Sequence, residues 1–284
     1  MKVLVTGAGG FLGNYVILEL LKRDIQVIAS SVHEEKIQYR PWFEKVDYIS
    51  LDINSINTGN NYFEKLHSPD ILIHLAWQGL PNYEALYHFE KNLSIQYCFL
   101  KNLISHGLKD ITVAGTCMEY GLLEGKLSEE TVVQPNTSYG FAKSTLYKGL
   151  ALLNRETEFS LKWARLFYMY GEGQNPGSLI PQLEKAIAEN RNSFNMSGGE
   201  QIRDYLHVEK VAEYLVTIAL QTQVQGLINC CSGVPVKLKD FVESYLGQIN
   251  KKITLNTGFY PYSTYEPMHF WGDTTKLKQI LNNE

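Results

Sequence analysis

The run Lys2-Val3-Leu4-Val5-Thr6-Gly7-Ala8-Gly9-Gly10-Phe11-Leu12-Gly13 joins an apolar strand, a turn with glycines three apart at Gly7, Gly10 and Gly13, and an amphipathic stretch over 12–22. Glycine permits a tight turn and close approach of the backbone to a ligand. The free amides at the start of the following helix point at an anion. Glycines at this spacing also occur in ordinary strand-to-helix turns. The order strand, turn, helix favours a pyrophosphate cradle and hence a dinucleotide site.

The pattern repeats outward from this run. Short apolar runs follow at Gln26-Val27-Ile28-Ala29, Tyr48-Ile49-Ser50-Leu51, Ile71-Leu72-Ile73-His74-Leu75 and Ile111-Thr112-Val113-Ala114, with helical stretches over 12–22, 83–105 and 138–154. Nearly all-apolar strands separated by helices predict an α/β fold, a doubly wound parallel sheet covered on both faces. From Tyr170 the alternation loosens into Gly171-Glu172-Gly173-Gln174-Asn175-Pro176-Gly177, which is loop chemistry. A dinucleotide-binding domain is expected over 1–165. A helix over 206–220 and the run Gly226 to Cys231 return to it within 205–232, and a smaller C-terminal α/β substrate domain takes 166–204 and 233–284. No internal repeat or low-complexity segment interrupts the chain.

The 284 residues carry a formal charge of −4 with Lys and Arg scattered. Nucleic acids and membrane surfaces select clustered cations, so neither is an expected partner; a small molecule is. The first strand begins straight after Met1, which leaves no room for a signal peptide, and no apolar run is long enough to span a bilayer. Cys98, Cys117, Cys230 and Cys231 form no C-x-x-C pair, which suits a reduced cytoplasm. The histidines lack metal-ligand spacing, so no metal is expected and His74 is read as packed in the sheet.

An acidic residue about 20 positions beyond the glycine turn normally binds the adenosine ribose of NAD. Here the second strand ends Ser30-Ser31-Val32-His33. A carboxylate would repel a 2′-phosphate, whereas serines donate hydrogen bonds to one and His33 or Lys36 supply positive charge. This favours NADP(H). NAD(H) stays open if Glu34 or Glu35 reaches back to the ribose. Asp52 and Ile53 suit the adenine edge, although Asp52 also fits as a helix cap.

Tyr139 and Lys143 stand at i and i+4 on one helix face. An ammonium beside a phenol favours the phenolate and lowers a pKa otherwise near 10, towards what proton exchange at neutral pH needs. The strand from Ile111 to Gly115 delivers Thr116 at its C-terminal end, where α/β sheets hold their ligands.

Taken in order, Thr6-Gly7-x-x-Gly10-x-x-Gly13, His74-Leu75-Ala76, Asn92, Thr116-x-x-x-Tyr120-Gly121, Pro135-x-x-x-Tyr139-Gly140-x-x-Lys143, Arg165-x-x-x-x-Tyr170-Gly171 and Arg203-Asp204-Tyr205-Leu206-His207-Val208 resemble the extended short-chain dehydrogenase/reductases that act on nucleotide sugars. The resemblance covers nearly the whole chain. It implies a Rossmann sheet, with cofactor contacts from Gly7, Gly10, Phe11, Leu12, Gly13, Leu75 and Ala76 and support from Asn92. It also implies a catalytic triad of Thr116, Tyr139 and Lys143, which also meet cofactor or substrate, and an Arg203 that approaches the substrate diphosphate. A guanidinium fork matches phosphate oxygens, while a structural ion pair is the alternative for Arg203. Trp77 stands in place of a small residue after His74-Leu75-Ala76, as an active-site wall or a gap filler. Tyr168 replaces an Asn that contacts substrate in many relatives, and a core aromatic is the alternative. Cys117 beside Thr116 has no base near it in sequence and is read as packing at the substrate side. The helices over 83–105 and 138–154 commonly pair across a two-fold axis in this family, implying a homodimer.

Three reactions of that family compete. The 4,6-dehydratases carry an acid directly after the catalytic Thr; this chain has Cys117-Met118 there, and Glu119 is expected to point the other way. Epimerases typically retain NAD, whereas a reductase draws reduced cofactor from solution, and the large reducing pool is NADPH. Ser30-Ser31 therefore favours a reductase of the C4 keto group of a CDP- or dTDP-linked 4-keto-6-deoxyhexose, of the kind that makes deoxysugars for surface polysaccharide. A 4-epimerase is the alternative. A non-catalytic NADP(H) sensor is the third reading, which an intact Thr116, Tyr139 and Lys143 set argues against.

Overall fold

The alternating apolar runs form parallel strands in the computed structural model, which describes residues 1–282. The order along the chain is β1 (Lys2–Thr6), α1 (Phe11–Lys22), β2 (Gln26–Ser31), β3 (Asp47–Ser50), α2 (Tyr62–Lys65), β4 (Ile71–His74), α3 (Leu93–Ser105), β5 (Asp110–Thr116), β6 (Gly125–Leu127), α4 (Ser138–Glu156), β7 (Ser160–Leu166) and β8 (Tyr168–Tyr170). There follow α5 (Leu179–Ala188), β9 (Ser193–Asn195), β10 (Ile202–His207), α6 (Val208–Leu220), β11 (Gly226–Cys230), β12 (Pro235–Lys237), α7 (Leu238–Gln248), β13 (Thr254–Asn256), β14 (Phe270–Gly272) and α8 (Thr275–Leu281). Seven strands make one sheet in the order β11-β7-β5-β4-β1-β2-β3, and every pairing in it is parallel. From β1 the chain winds outward through β2 and β3, then restarts at β4 on the other side. The switch between β1 and β4 opens the crevice in which such sheets bind ligands.

Side chains alternate across each strand, so the sheet feeds two cores. Val3, Val5, Ile71 and Ile73 pack with Val16 and Leu20 of α1 and Leu215 of α6. Leu4, Leu72, Ile111 and Val113 face the other way, onto Phe99 and Leu103 of α3 and Leu146 of α4. A third core holds Leu183 of α5, Phe194, Met196 and Val242 of α7, beside the three-stranded sheet β12-β10-β8.

Several elements differ from the sequence expectations. The helix expected over 83–105 begins only after a π-helical turn, His88–Asn92. The carbonyls of Tyr83 and Glu84 leave helical pairing because they accept from Tyr139 N at 3.0 Å and the Ser138 hydroxyl at 3.0 Å, satisfying the start of α4. Leu206 and His207, expected in a helix, belong to β10 and pair with β8. Helix α8 lies within the segment expected in the substrate domain, yet Leu277 and Ile280 pack into the first core.

Candidate active site

A cleft of about 420 Å³ opens at the carboxyl ends of β1, β2, β3 and β4. Gly7 sits at the switch point with φ +74, and a Cβ there would lie 2.8 Å from Ala76 N. Only a glycine lets the two strand ends approach this closely. Gly13 is buried beneath the turn, where a Cβ would meet the Gly7 carbonyl at 2.3 Å, so that glycine seats the helix on the turn. Gly7, Gly10, Ser30, Ser31, Asp52 and Ile53 line the cleft, as do Leu75, Ala76 and Trp77. The glycine cradle, and a cleft lined by hydrogen-bonding groups from the ends of β2 and β3, fit a dinucleotide. Phe11, Leu12 and Gly13 stand at the start of α1, behind the turn. Asn92 is buried beside the cleft and donates to the carbonyl of Gln78 at 3.0 Å, a residue of the cleft wall.

The far end of the cleft is partly committed. The Tyr48 hydroxyl donates to the Ser31 carbonyl at 3.0 Å, so the Ser31 hydroxyl, 3.2 Å from the Tyr48 oxygen, spends its own proton there. His33 lies 3.1 Å from Glu35. Asp52 caps the turn Ile53–Ser55, accepting from Asn54 N at 2.9 Å. Lys36 and His33 still border the cleft, and neither Glu34 nor Glu35 lines it.

Thr116, Tyr139 and Lys143 come together where β5 ends against the first turns of α4, all three nearly buried. Thr116 caps the 3-10 turn Cys117–Tyr120. The Lys143 ammonium donates to the Ala114 carbonyl at 2.8 Å and lies 4.1 Å from the centroid of the Trp77 ring. Burial pulls its pKa down to about 7, opposed by the Glu119 carboxylate. The sequence reading expected Lys143 to lower the Tyr139 phenol. Instead, its ammonium is 5.8 Å from that ring centroid, and burial, then Tyr83, Glu119 and Cys117, push the phenol well above its ordinary range against the pull of Thr116. Tyr139 is therefore held as a neutral acid.

Glu119 turns away from this centre, as expected, but by a different geometry. The strand does not continue; a turn buries the carboxylate completely, where it accepts from Thr116 N at 2.9 Å, Trp163 Nε1 at 2.8 Å and Arg165 Nε at 2.9 Å. Cys117 packs with Tyr120, Phe167 and Phe270, and burial raises its thiol pKa, leaving an inert side chain. Arg203 is buried and pairs with Glu266 at 3.2 Å. Tyr168 donates its hydroxyl to the other oxygen of that carboxylate at 2.7 Å. Arg203 and Tyr168 thus share one carboxylate, which gathers both side chains into a single cluster.

Sequence reasoning missed Tyr83, His88 and Glu266. The first two pack on the Tyr139 ring at 5.7 and 5.3 Å between centroids, and Glu266 lies 63 residues from Arg203. None sits in a local pattern that marks chemistry. Among the described residues, no group of three His, Cys, Asp or Glu is placed to hold a metal. Nor, among the described residues, is any helix long and apolar enough to cross a membrane.

A dinucleotide crevice beside a buried acid, hydroxyl and ammonium defines an oxidoreductase of the short-chain dehydrogenase/reductase class. The chain belongs to the NAD dependent epimerase/dehydratase family, whose pattern matches residues 3–231. It is 29% identical over 96% of its length to "dTDP-6-deoxy-L-talose 4-dehydrogenase (NAD(+))" of Aggregatibacter actinomycetemcomitans, covering 99% of that protein. It is 26% identical over 89% of its length to the "dTDP-4-dehydro-6-deoxyglucose reductase" of Escherichia coli, covering 83% of that protein. Its fold matches that of the UDP-glucuronic acid 4-epimerase from Bacillus cereus solved with UDP-glucuronic acid and NAD, with a TM-score of 0.85, 23% identity and coverage of 100% of this chain and 94% of the other.

Proposed function

We propose that the protein reduces the C4 keto group of a dTDP- or CDP-linked 4-keto-6-deoxyhexose, in the making of deoxysugars for surface polysaccharide. The observation that carries this reading is the gathering of Thr116, Tyr139 and Lys143 in one buried site, with Glu119 locked onto Arg165. Such a site can deliver a proton to a carbonyl oxygen. Glu119, the acid that follows Thr116 in sequence, is spent on Trp163 and Arg165 and so is not free to expel water.

Thr116 and Tyr139 hold the keto oxygen by hydrogen bonds, and a nicotinamide dinucleotide held at the glycine turn would supply hydride chemistry. As charge gathers on that oxygen, Tyr139 gives up its phenolic proton, and the Lys143 ammonium steadies the phenolate left behind. Burial of all three excludes water from the exchange. The core around α5 and α7 would carry the nucleotide sugar.

For the cofactor, relatives named with NAD and the commitments of Ser31 and His33 support NAD(H) as the first reading. NADP(H), which the strand tip favoured, remains the second, carried by Lys36 and the lack of a carboxylate there. Four free cysteines suit a reduced cytoplasm. A homodimer would form over α3 and α4, beside which Phe89 and Phe141 stand exposed as an edge-to-face pair.

The deciding experiment incubates the protein with NADH or NADPH and dTDP-, CDP- or GDP-4-keto-6-deoxyhexoses and follows loss of reduced nicotinamide. Consumption with one of them supports the reductase. No consumption with any, together with interconversion of UDP-hexoses without added cofactor, overturns it in favour of the 4-epimerase.

A further inference from the structure

We propose that Trp77 is a positioning residue for Lys143: its indole face holds the ammonium beside Thr116 and Tyr139, and His88 aims the indole. The inference rests on the role given to Lys143 above, but its test does not depend on turnover.

Five contacts carry it. The Lys143 ammonium lies 4.1 Å from the Trp77 centroid, while its one hydrogen bond in this structure goes to Ala114 O on the other side. An ammonium buried in a low-dielectric site is favoured by a desolvated π face as well as by hydrogen-bond acceptors. The indole is not free to turn. Trp77 Nε1 donates to His88 Nδ1 at 3.0 Å, and His88 donates from Nε2 to the Asn82 carbonyl at 2.8 Å, which fixes the tautomer. Trp77 also meets the Tyr139 ring edge-on at 5.8 Å and lines the cofactor cleft, so one side chain touches the lysine, the phenol and the cleft.

The groups facing Lys143 show why this support matters. Glu119, from the turn after β5, is the one carboxylate that favours the ammonium, and burial opposes it. His74 from β4 and His88 from the π-helical turn are both driven towards neutrality, first by burial and further by the lysine charge. Tyr139 on the same helix is a neutral phenol. Trp77 thus joins the Glu119 carboxylate and the Ala114 carbonyl as a group that favours the ammonium here. Protonating His88 would take up the nitrogen that accepts the indole proton and release it.

The test follows the Lys143 side chain by NMR in full-length protein labelled with carbon-13 at lysine Cε, the signal being assigned by its loss in Lys143→Arg. Trp77→Leu is expected to lower the midpoint of Lys143 titration by about one pH unit, and Trp77→Phe, which keeps a π face, to restore most of it. An unchanged midpoint in Trp77→Leu overturns the proposal, as does a Phe variant that falls as far as Leu. If circular dichroism shows that Trp77→Leu does not fold, His88→Phe carries the test: a smaller shift in the same direction supports the proposal and no shift overturns it. Loss of the sugar reaction with an intact titration shift would count against the reductase reading alone.

Discussion

In the proposed reaction Tyr139 gives the proton, and the residues packed around it hold the phenol protonated beforehand. Burial makes that phenol a weaker acid, so it parts with its proton only as negative charge builds on the keto oxygen it faces. Tyr139→Phe removes the proton and leaves the ring packing on Trp77, Tyr83 and His88. It is expected to lower kcat by about 10²- to 10⁴-fold with cofactor affinity unchanged, measured by turnover and by calorimetric titration. Near-normal turnover would remove Tyr139 from the mechanism. At the other end of the cleft, Lys36→Ala is expected to leave NADH affinity near wild type and weaken NADPH by roughly fivefold, since only the latter presents a phosphate to an ammonium there. Equal loss for both would place Lys36 outside cofactor discrimination. Thr116, Tyr139 and Lys143 were legible because spacing puts two on one helix face and a strand end supplies the third. Tyr83, His88 and Glu266 were not, because contacts across the fold bring them in and no period in the chain announces them.

At the scale of elements, the strand-turn-helix opening was legible in full, since glycine spacing, apolar run and helical period all point to one answer. The segment over 83–92 was not. Its composition suits a helix, but Tyr83 and Glu84 turn their carbonyls to the first residues of α4, a long-range demand that local preference cannot reveal. The turn Cys117–Tyr120 is a second such place. There the Thr116 hydroxyl and the Glu119 carboxylate cap each other's backbone, and that carboxylate also accepts hydrogen bonds from Trp163 and Arg165. This buried cluster fixes the end of β5 and so the position of Thr116. Glu119→Ala would strand the buried Arg165 charge and two N–H donors. It is expected to cost about 3–5 kcal/mol of stability in urea unfolding. A loss under about 1 kcal/mol would mean that Arg165 finds water or another partner, and that the turn is held by its backbone.

For the whole molecule, the doubly wound sheet was readable from alternating apolar runs, whereas the return of α8 to the first core was not, because a short helix carries little periodic signal. The sheet also buries a titratable group at its switch point. His74 ends β4 and is fully buried, with Nδ1 2.7 Å from the Thr6 hydroxyl and Nε2 2.7 Å from Gln96 Oε1. As the Gln96 oxygen can only accept, Nε2 carries the proton and Nδ1 accepts from Thr6, tying β4 to β1 and to α3 as a neutral ring. Burial, helped by the Lys143 charge and opposed by Gln96, takes its pKa down to about 3. In the unfolded chain the same ring titrates near its ordinary value of about 6.5. Between those values the unfolded state binds one proton more than the folded state. His74 therefore adds nothing to the pH dependence above about 6.5, and stability falls by about 1.4 kcal/mol per unit as pH drops from there towards about 3. Replacing it by Gln removes the titration while leaving a polar side chain between Thr6 and Gln96. Unfolding free energies at about pH 6 and about pH 4.5 should then differ by roughly 2 kcal/mol less in His74→Gln than in the wild type. Equal differences in the two proteins would mean that His74 is protonated in the folded sheet, and that its bonds to Thr6 and Gln96 hold a charged ring.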